Sequence, residues 1–294
     1  MAILSRLAPA KVNLFLHVGA VQPDGYHPLS SLVAFADVGD VVSIAPADRL
    51  GLTLTGPFAA DLDGAGDNLI VKALRALAAD QGLPDLPLHV TLDKRLPIAA
   101  GLGGGSSDAG AALHLANAAL ELDLPAAALE DLSRVVGADG PICLRARSAW
   151  AEGVGERLSE APDLPAFPAV LYNPGRPSST GAVYRAYDDD PRGDAGRPAP
   201  PRDWSDDAVF AWLATTRNDL QAPAVRLEPA IADALDAVAA QPGVRFVRMS
   251  GSGATVFGLF ETTQAASSAA DKLRSKNGAG WAVATLLGDN ATSS

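Results

Sequence analysis

Four glycines occupy five successive positions at the start of the segment GLGGGSSDA, which runs from Gly101 to Ala109. Glycine lets the backbone approach a ligand closely and adopt positive φ. A helical pattern begins after Gly105, so the segment leads into a helix N-terminus, whose unpaired N–H donors suit phosphate. Ser106 and Ser107 add hydroxyl donors. The segment therefore favours binding of nucleotide phosphates.

The segment differs from the two commonest glycine-rich phosphate motifs. A P-loop needs Gly-Lys followed by Ser or Thr, and no lysine follows here. A dinucleotide fingerprint needs a third glycine where Ser106 stands and an acidic residue after the next strand, and neither is evident. Alone, the segment also fits a flexible linker or a turn that caps a helix. A carboxylate repels a triphosphate, so we expect Asp108 to point away in the first helical turn or to act through a metal ion.

Three further groups of residues could do chemistry. Lys11 and Asn13 share one face of the alternating segment KVNLFLHV, although a lone lysine is normally a solvated surface charge. Asp139 lies in GADGP, where it could be a turn or cap residue or the acceptor of a proton from a substrate hydroxyl. The segment MSGSGATVF, residues 249–257, is either a hairpin turn or a second backbone wall against phosphates.

The elements that must position these residues follow from hydrophobic periodicity. Strands are predicted over 11–18, 41–44, 51–54, 88–92, 245–249, 255–260 and 282–287. Helices are predicted over 68–79, 126–136, 206–213, 229–239 and 264–275, with another capped by Ser106 or Ser107. The irregular alternation of helices and strands favours an α+β fold over a doubly wound sheet.

The composition limits the classes of function. The 294 residues carry a net charge of -11, which argues against nucleic-acid or anionic-membrane binding. The single cysteine, Cys143, excludes an intrachain disulfide and a cysteine-rich metal site. We find no signal peptide, transit peptide or membrane-spanning run, so we expect a cytoplasmic protein.

The chain length suggests two domains. Prolines cluster between Arg157 and Pro168, so we place the domains at 1–157 and 158–294. The segment Asp188–Asp203, rich in proline and charge, is predicted to be a mobile surface loop.

Three segments occur together and in order: PAKVNLFLHV, PIAAGLGGGSSDA and SGSGATVF. Jointly they resemble the GHMP kinase superfamily of galactose, homoserine, mevalonate and phosphomevalonate kinases. The segments PDGYH, DNLIVKA, VGADGP and AEGVGE narrow the resemblance to its branch that phosphorylates a cytidine diphosphate-linked methylerythritol in the non-mevalonate isoprenoid route.

The resemblance implies a GHMP kinase fold, with an N-terminal ATP-binding domain, a C-terminal ferredoxin-like domain and an active site in the cleft between them. It implies that Mg-ATP gives its γ-phosphoryl to the 2-hydroxyl of the methylerythritol unit. The partner is thus a small molecule, with no nucleic acid and no membrane, and the protein is a monomer or homodimer.

Roles carry over residue by residue. Asp139 matches the catalytic base, and Lys11 matches the lysine that orients it. The positions that match substrate-binding residues are Asn13, Tyr26, His27, Val154, Thr180 and Tyr184, of which Tyr26, His27, Val154 and Tyr184 hold the cytidine base. The positions that match ATP-binding residues are Asn68, Pro97, Ala99, Ala100, Gly101, Leu102, Gly103, Gly104, Gly105, Ser106, Ser107, Gly251, Ser252 and Gly253. No residue is assigned as a metal ligand.

Two features depart from the pattern of the family that the sequence resembles. Gly140 and Ile142 flank Asp139 where larger or aromatic residues are usual, and the loop Asp188–Asp203 matches nothing in the family.

Two alternative functions stay open. One is a kinase of another alcohol, for which the Tyr26-His27 pair would have no evident task. A catalytically idle ATP-binding module is the other alternative, and the presence of both Lys11 and Asp139 argues against it.

Overall fold

The structure is a computed structural model that describes residues 3–62, 68–162, 164–276 and 280–288. Asp67, the first residue of DNLIVKA, lies outside the described residues. The chain forms two compact units. Unit 1 takes residues 1–10, 38–98 and 103–146, and unit 2 takes residues 11–37, 99–102 and 147–294.

Unit 1 is built on a sheet that uses both long strands at the start of the chain. These are β1 (Leu4–Val18) and β2 (Leu29–Pro46), which pair with each other and pass from one unit into the other. Strand β4 (Leu88–Asp93) runs antiparallel to the second half of β2. Strand β3 (Gly51–Thr55) runs parallel to β4.

The helices of unit 1 are α1 (Leu69–Asp80), α2 (Gly104–Ala119), α3 (Ala126–Ser133) and α4 (Gly140–Arg145). Asn68 caps α1, because its side-chain Oδ1 accepts a hydrogen bond of 2.9 Å from the Ile70 amide. Ile70, Leu74 and Leu77 recur at helical spacing and are fully buried. They join one core with residues of β2, β4 and α2.

The start of α2 differs from the prediction. The helix begins at Gly104, and its N-cap is Gly103, which adopts a left-handed φ of 62°. The prediction of a cap at Ser106 or Ser107 was therefore wrong. Glycine adopts this conformation at little cost, so Gly103 can cap the helix. The helix therefore begins earlier than it would after a cap at Ser106 or Ser107. Asp108 consequently lies in the second turn of α2, not in the first.

Unit 2 contains a second sheet with β7 (Phe167–Asn173) between two antiparallel neighbours. These are β9 (Val256–Phe260), followed outward by β8 (Val244–Met249), and β10 (Trp281–Leu287). Leu287 of β10 pairs with Ala36 of β2. The first half of β2 pairs with β5 (Ala149–Gly153), which pairs with β6 (Arg157–Glu160).

The helices of unit 2 are α5 (Thr180–Asp188), α6 (Asp206–Thr215), α7 (Gln221–Leu227), α8 (Ala230–Ala239) and α9 (Thr263–Lys276). Tyr172, Tyr187 and Val238 are among the buried residues of its core. Among the described residues, no helix has the length and apolar character needed to cross a bilayer.

The segment after α5 contains no helix or strand up to Asp203, as predicted, except that Asp188 belongs to α5. The segment nevertheless has specific contacts within unit 2. The Trp212 indole donates a hydrogen bond of 2.7 Å to the Ala199 carbonyl, and the Arg197 guanidinium lies 3.8 Å from the centre of the Trp150 ring. A stretch that composition marks as mobile thus packs against buried aromatic side chains.

Candidate active site

The glycine segment changes direction at residues with positive φ, which are Ala99, Gly101 and Gly103. Within unit 2, Gly101 packs directly against the turn between β8 and β9. Its carbonyl accepts a hydrogen bond of 2.9 Å from Ser250 Oγ, and a Cβ atom on Gly101 would lie 2.3 Å from the Ser250 carbonyl oxygen. Only glycine fits this position, both for its conformation and for the close approach.

The turn between β8 and β9 carries the second glycine segment. Gly251 and Gly253 both have positive φ, as a tight turn requires. Asn218 Nδ2 donates hydrogen bonds of 2.8 Å to the carbonyls of Met249 and Gly251, which fix the turn. Ser252 Oγ lies 2.8 Å from Thr180 Oγ1, so the structure brings a predicted substrate residue to a predicted ATP-binding residue.

Lys11 and Asn13 are buried side by side on β1. Lys11 Nζ donates to Asn13 Oδ1 over 3.2 Å, and Asn13 Nδ2 donates to Ser31 Oγ over 2.8 Å. Their backbone amides donate to Leu102 O and Ser250 Oγ, so β1 is tied to both glycine segments. Lys11 is therefore not a solvated surface lysine, because a buried ammonium group needs such partners.

Asp139 is the N-cap residue of α4, in the short turn that follows Gly137. It is half-buried, and its side chain makes no capping hydrogen bond. The next residue explains one departure from the family pattern. A Cβ atom on Gly140 would lie 2.0 Å from the Ser133 carbonyl oxygen, so a larger residue there would displace the turn that holds Asp139.

Two of the predicted base-binding residues, His27 and Tyr184, are in contact. The His27 and Tyr184 ring centroids are 4.9 Å apart, with the rings inclined at 43°. The Tyr187 ring approaches His27 at 5.9 Å in an edge-on arrangement. Tyr26, the neighbour of His27, has 60% of its surface exposed. An exposed aromatic ring beside a cluster of rings suits stacking on a flat ligand.

A carboxylate that the sequence did not reveal completes this cluster. Asp188 Oδ1 lies 2.6 Å from His27 Nε2, at the last residue of α5. The composition of the sequence had placed Asp188 in the irregular loop. The helical spacing of Tyr184, Tyr187 and Asp188, which puts them on one face of a helix, was the signal that could have found it.

Val154 lies in the tight turn between β5 and β6. Its amide donates a hydrogen bond of 2.6 Å to Glu156 Oε2. Gly153 has positive φ, and a Cβ atom there would lie 2.4 Å from the Glu156 carboxylate. Since the Val154 amide already has a partner, a backbone contact from Val154 to a base would use its carbonyl.

A buried cluster of three charged side chains, Lys94, Asp40 and Asp108, lies in unit 1 beside the start of α2. Lys94 Nζ donates to Asp40 over 2.5 Å and to Asp108 over 2.8 Å, and the three side chains are almost fully buried. A Cβ atom on Gly104 would lie 3.1 Å from Lys94 Nζ, so the cluster approaches the first turn of α2. Asp108 is thus held away from any ligand of the glycine segment by a lysine.

Electrostatics in this cluster follow from burial. Burial raises the pKa of the Asp108 carboxyl to about 8, because desolvation outweighs the attraction of Lys94 and the Asp40 carboxylate adds to the rise. Burial alone would lower the pKa of Lys94, but its two carboxylate partners raise it above the usual value. Lys94 is therefore charged at neutral pH.

The remaining predicted ATP-binding residues fall in two places. Asn68 serves as the cap of α1, and its proximity to adenine stays a prediction. Pro97, Ala99 and Ala100 precede the glycine segment, where Ala100 is buried and Ala99 is exposed. Leu102 is also buried, while Gly105 and Ser106 lie half-buried in the first turn of α2. Ser107 is buried, and its hydroxyl makes no hydrogen bond within the described residues.

Comparison with known proteins places the chain in a family. A model of the GHMP kinases N terminal domain matches residues 68–146, and a model of the GHMP kinases C terminal matches residues 207–279. The 4-diphosphocytidyl-2-C-methyl-D-erythritol kinase of Caulobacter vibrioides is 54% identical over 281 residues, covering 95% of this chain and 97% of that protein. The chain belongs to the 4-diphosphocytidyl-2-C-methyl-D-erythritol kinase family of GHMP kinases.

Other members of the 4-diphosphocytidyl-2-C-methyl-D-erythritol kinase family support this. The protein of that name from Methylobacterium radiotolerans is 47% identical over 292 residues, covering 98% of this chain and all of that protein. A crystal structure of 4-(cytidine 5'-diphospho)-2C-methyl-D-erythritol kinase superposes with a TM-score of 0.79 at 38% identity, covering 97% of this chain and 99% of that one.

More distant kinases share the fold alone. The homoserine kinase of Cytophaga hutchinsonii superposes with a TM-score of 0.69 at 16% identity, covering 98% of this chain and 96% of that one. The predicted α+β GHMP kinase class and the resemblance to the cytidine diphosphate-linked branch are therefore confirmed. Members of this family are phosphotransferases that use ATP as a substrate. The roles of individual residues stay predictions.

Proposed function

We propose that this chain transfers the γ-phosphoryl group of ATP to the 2-hydroxyl of 4-diphosphocytidyl-2-C-methyl-D-erythritol, in the non-mevalonate isoprenoid pathway. The observation that carries the proposal is the cluster of His27 and Tyr184. These residues are far apart in sequence and meet in unit 2, which is the arrangement needed to hold a pyrimidine. The kinase of another alcohol would not need such a cluster.

ATP phosphates bind at the glycine segment, from Gly101 to Ser107. Backbone amides at the start of α2 and the hydroxyls of Ser106 and Ser107 supply the donors. The turn of Gly251, Ser252 and Gly253 supports this segment, because Ser250 holds the Gly101 carbonyl. A cradle fixed by such contacts pre-positions the triphosphate, which is the main requirement of phosphoryl transfer.

Lys11 and Asp139 supply the chemistry. The 2-hydroxyl oxygen attacks the γ-phosphorus, the bond from that phosphorus to the oxygen of the β-phosphate breaks, and ADP leaves with the electron pair. Asp139 takes the proton of the hydroxyl as the general base. The buried Lys11 ammonium, oriented by Asn13, stabilises the negative charge that develops. The acceptor is a tertiary alcohol, whose crowded oxygen makes accurate positioning more important.

The substrate is recognised at two ends. Tyr26, His27, Tyr184 and the Val154 backbone hold the cytosine base, by stacking and by hydrogen bonds. Asn13 and Thr180 bind near the phosphates of the substrate. Thr180 is suited to this, since it lies at the N-terminus of α5 and its hydroxyl contacts Ser252.

We propose that Mg²⁺ accompanies ATP. In the described residues, no three His, Cys, Asp or Glu side chains are grouped so that they could hold a metal ion. Mg²⁺ does not require such a group, because it commonly keeps several waters and is held by substrate phosphates with one or two carboxylates. When bound, Mg²⁺ neutralises charge on the β- and γ-phosphates.

We also propose a domain boundary at residue 157. The two family matches, at 68–146 and 207–279, lie on either side of this position. We propose in addition that the protein acts as a monomer or homodimer in the cytoplasm, where ATP is abundant.

An ADP-release assay over a panel of alcohols tests the proposed function. The panel pairs 4-diphosphocytidyl-2-C-methyl-D-erythritol with the free methylerythritol phosphate, homoserine and mevalonate. We expect rapid, saturable ADP release with the cytidine diphosphate compound and at most slow release with the others. Equal release with homoserine or mevalonate would overturn the proposal.

A further inference from the structure

The hydrogen bond between His27 and Asp188 determines where the imidazole carries its proton. A carboxylate can only accept, so His27 Nε2, 2.6 Å from Asp188 Oδ1, must be the donor. A neutral imidazole with its proton on Nε2 has a lone pair on Nδ1. The ring then offers an acceptor, not a donor, to whatever meets its other nitrogen.

The surroundings of His27 hold the ring in one orientation. Its side chain is only 8% exposed, and it is contacted by Tyr184 and Tyr187 from the same helix that ends at Asp188. Tyr187 is itself fixed, because its hydroxyl donates to the Val18 carbonyl and accepts from the Arg192 amide. The α5 helix thus supplies both the walls and the hydrogen-bond acceptor for His27.

Pyrimidines differ in the pattern of donors and acceptors that such a ring would read. Cytosine carries an amino group at C4, which is a donor, whereas uracil carries a carbonyl oxygen there, which is an acceptor. A bare Nδ1 can accept a hydrogen bond from the amino group. With uracil, the lone pair of Nδ1 would face the lone pairs of the O4 carbonyl oxygen. Two acceptors that meet in a desolvated site repel each other and leave both without a hydrogen bond, which weakens binding.

We propose that Asp188 is a positioning residue that keeps His27 in the Nε2-protonated form, so that Nδ1 accepts from the 4-amino group of cytosine and rejects uracil. This inference rests on the proposed function, since it assigns the base selectivity of the same site. Asp188 need not touch the substrate. Its effect passes through the proton of His27.

The first test measures the tautomer without any substrate. Nitrogen-15 NMR of the full-length protein distinguishes protonated from bare imidazole nitrogens, and the chain has only four histidines. The His27 signals are assigned from their loss in His27→Gln. We expect protonated Nε2 and bare Nδ1 at neutral pH in the wild type. A protonated Nδ1, whether Nε2 is bare or also protonated, would overturn the inference, and this measurement requires no variant at Asp188.

The second test measures base selectivity. We compare kcat/KM for the cytidine diphosphate substrate and for its uridine diphosphate analogue. In Asp188→Ala, we expect the cytidine-to-uridine preference to fall by about 10-fold, equivalent to the ~1.4 kcal/mol of one hydrogen bond. The KM for ATP should not change. The matched control is Asp189→Ala, which removes the same charge from the next, exposed position after α5.

The outcomes separate the inference from the proposed function. If the wild type phosphorylates no cytidine diphosphate substrate, the proposed function fails, whatever the tautomer of His27. If the wild type is active and Asp188→Ala keeps the selectivity of Asp189→Ala, only the role of Asp188 is wrong. If Asp188→Glu restores the preference lost in Asp188→Ala, the carboxylate itself is responsible.

Discussion

At the scale of residues, the proposed chemistry depends on a buried lysine and a half-buried carboxylate. The Lys11 ammonium group donates a hydrogen bond to Asn13, which in turn donates to Ser31. Asp139 stands at the start of α4, where Gly140 lets the turn approach Ser133 closely. These two residues are the ones to which the mechanism assigns charge stabilisation and proton transfer.

Replacing Asp139 by Asn should abolish transfer and spare ATP binding. The amide is nearly isosteric but cannot accept the hydroxyl proton, so we expect kcat to fall by about 10²–10⁴-fold, the usual size of a general-base effect. Calorimetry should give a Kd for ATP close to that of the wild type. Asp131→Asn, an exposed aspartate on α3, is the control. Unchanged turnover in Asp139→Asn would refute the assignment of the base.

Removing the His27 side chain should weaken one substrate selectively. His27→Ala loses the contacts to the base, worth ~1–3 kcal/mol, so the KM for the cytidine substrate should rise about 5-fold or more. The KM for ATP should stay near its wild-type value. His89→Ala, whose imidazole contacts Thr53 in unit 1, is the control. Equal increases in both KM values would mean that His27 is a structural residue.

At the scale of elements, much of the fold was predictable from periodicity. Helices α1, α8 and α9 and strands β3, β4, β8, β9 and β10 lie within one or two residues of their predicted bounds. Their apolar residues recur regularly because each element buries one face in a core. Periodicity does not reveal a strand whose two faces are both buried, because its residues then do not alternate between apolar and polar. Strand β7 is almost entirely buried and was not predicted, and the buried Ser30 and Ser31 obscured the first half of β2.

The local contacts of the candidate site were predictable in part, for a related reason, while the roles of its residues stay predictions. Motifs that are local in sequence, such as the glycine segment and Tyr26-His27, were visible from the resemblance. Contacts between elements were not, since helical spacing can place Asp188 on one face with Tyr184 but no spacing rule joins it to His27, or joins Lys94 to Asp40. Gly103 as the cap of α2 was missed because hydroxyl caps are favoured by the usual rules, whereas backbone conformation decides here.

The glycine segment should tolerate no side chain at Gly101. Alanine there must adopt φ near 74° and place its Cβ 2.3 Å from the Ser250 carbonyl oxygen. The conformation alone costs ~1–2 kcal/mol, and the displacement of the Ser250 turn adds to it. The control is Gly82→Ala, where φ is 65° and nothing lies within 4 Å of the added atom. Urea unfolding should show Gly101→Ala to be the less stable variant, and equal stability would contradict the packing described.

The charge cluster beside α2 should make stability depend on pH. The folded pKa of Asp108, about 8, lies above the value of about 3.9 expected for an unfolded chain. The protonated carboxyl therefore favours the folded state below pH 4, and this advantage is lost as pH rises toward 8. Asp108→Asn keeps an acceptor for Lys94 but does not titrate.

Urea unfolding of both proteins between pH 5 and pH 8 tests this. The free energy of unfolding of the wild type, minus that of Asp108→Asn, should fall across this range and level off above pH 8. The subtraction removes the contributions of the other titrating groups. Curves that stay parallel would show that Asp108 is ionised in the folded protein.

At the scale of the whole molecule, the residues with predicted roles are distributed over both compact units. Unit 1 contains Asp139 and all of α2, while unit 2 contains Lys11, Gly101, the turn between β8 and β9 and the His27 cluster. The net charge of -11 fits a protein whose partner is a small molecule, since the anionic substrates meet local donors and no broad basic surface.

The central claim is that phosphate is placed on the 2-hydroxyl of the cytidine diphosphate substrate. Phosphorus-31 NMR of the isolated product tests it directly, because C2 of a 2-C-methyl unit bears no hydrogen. We predict one new phosphomonoester signal that shows no three-bond coupling to a proton and appears in step with ADP. A signal split by carbinol protons would place the phosphate on another hydroxyl and contradict the proposed reaction, as would the absence of any new phosphomonoester.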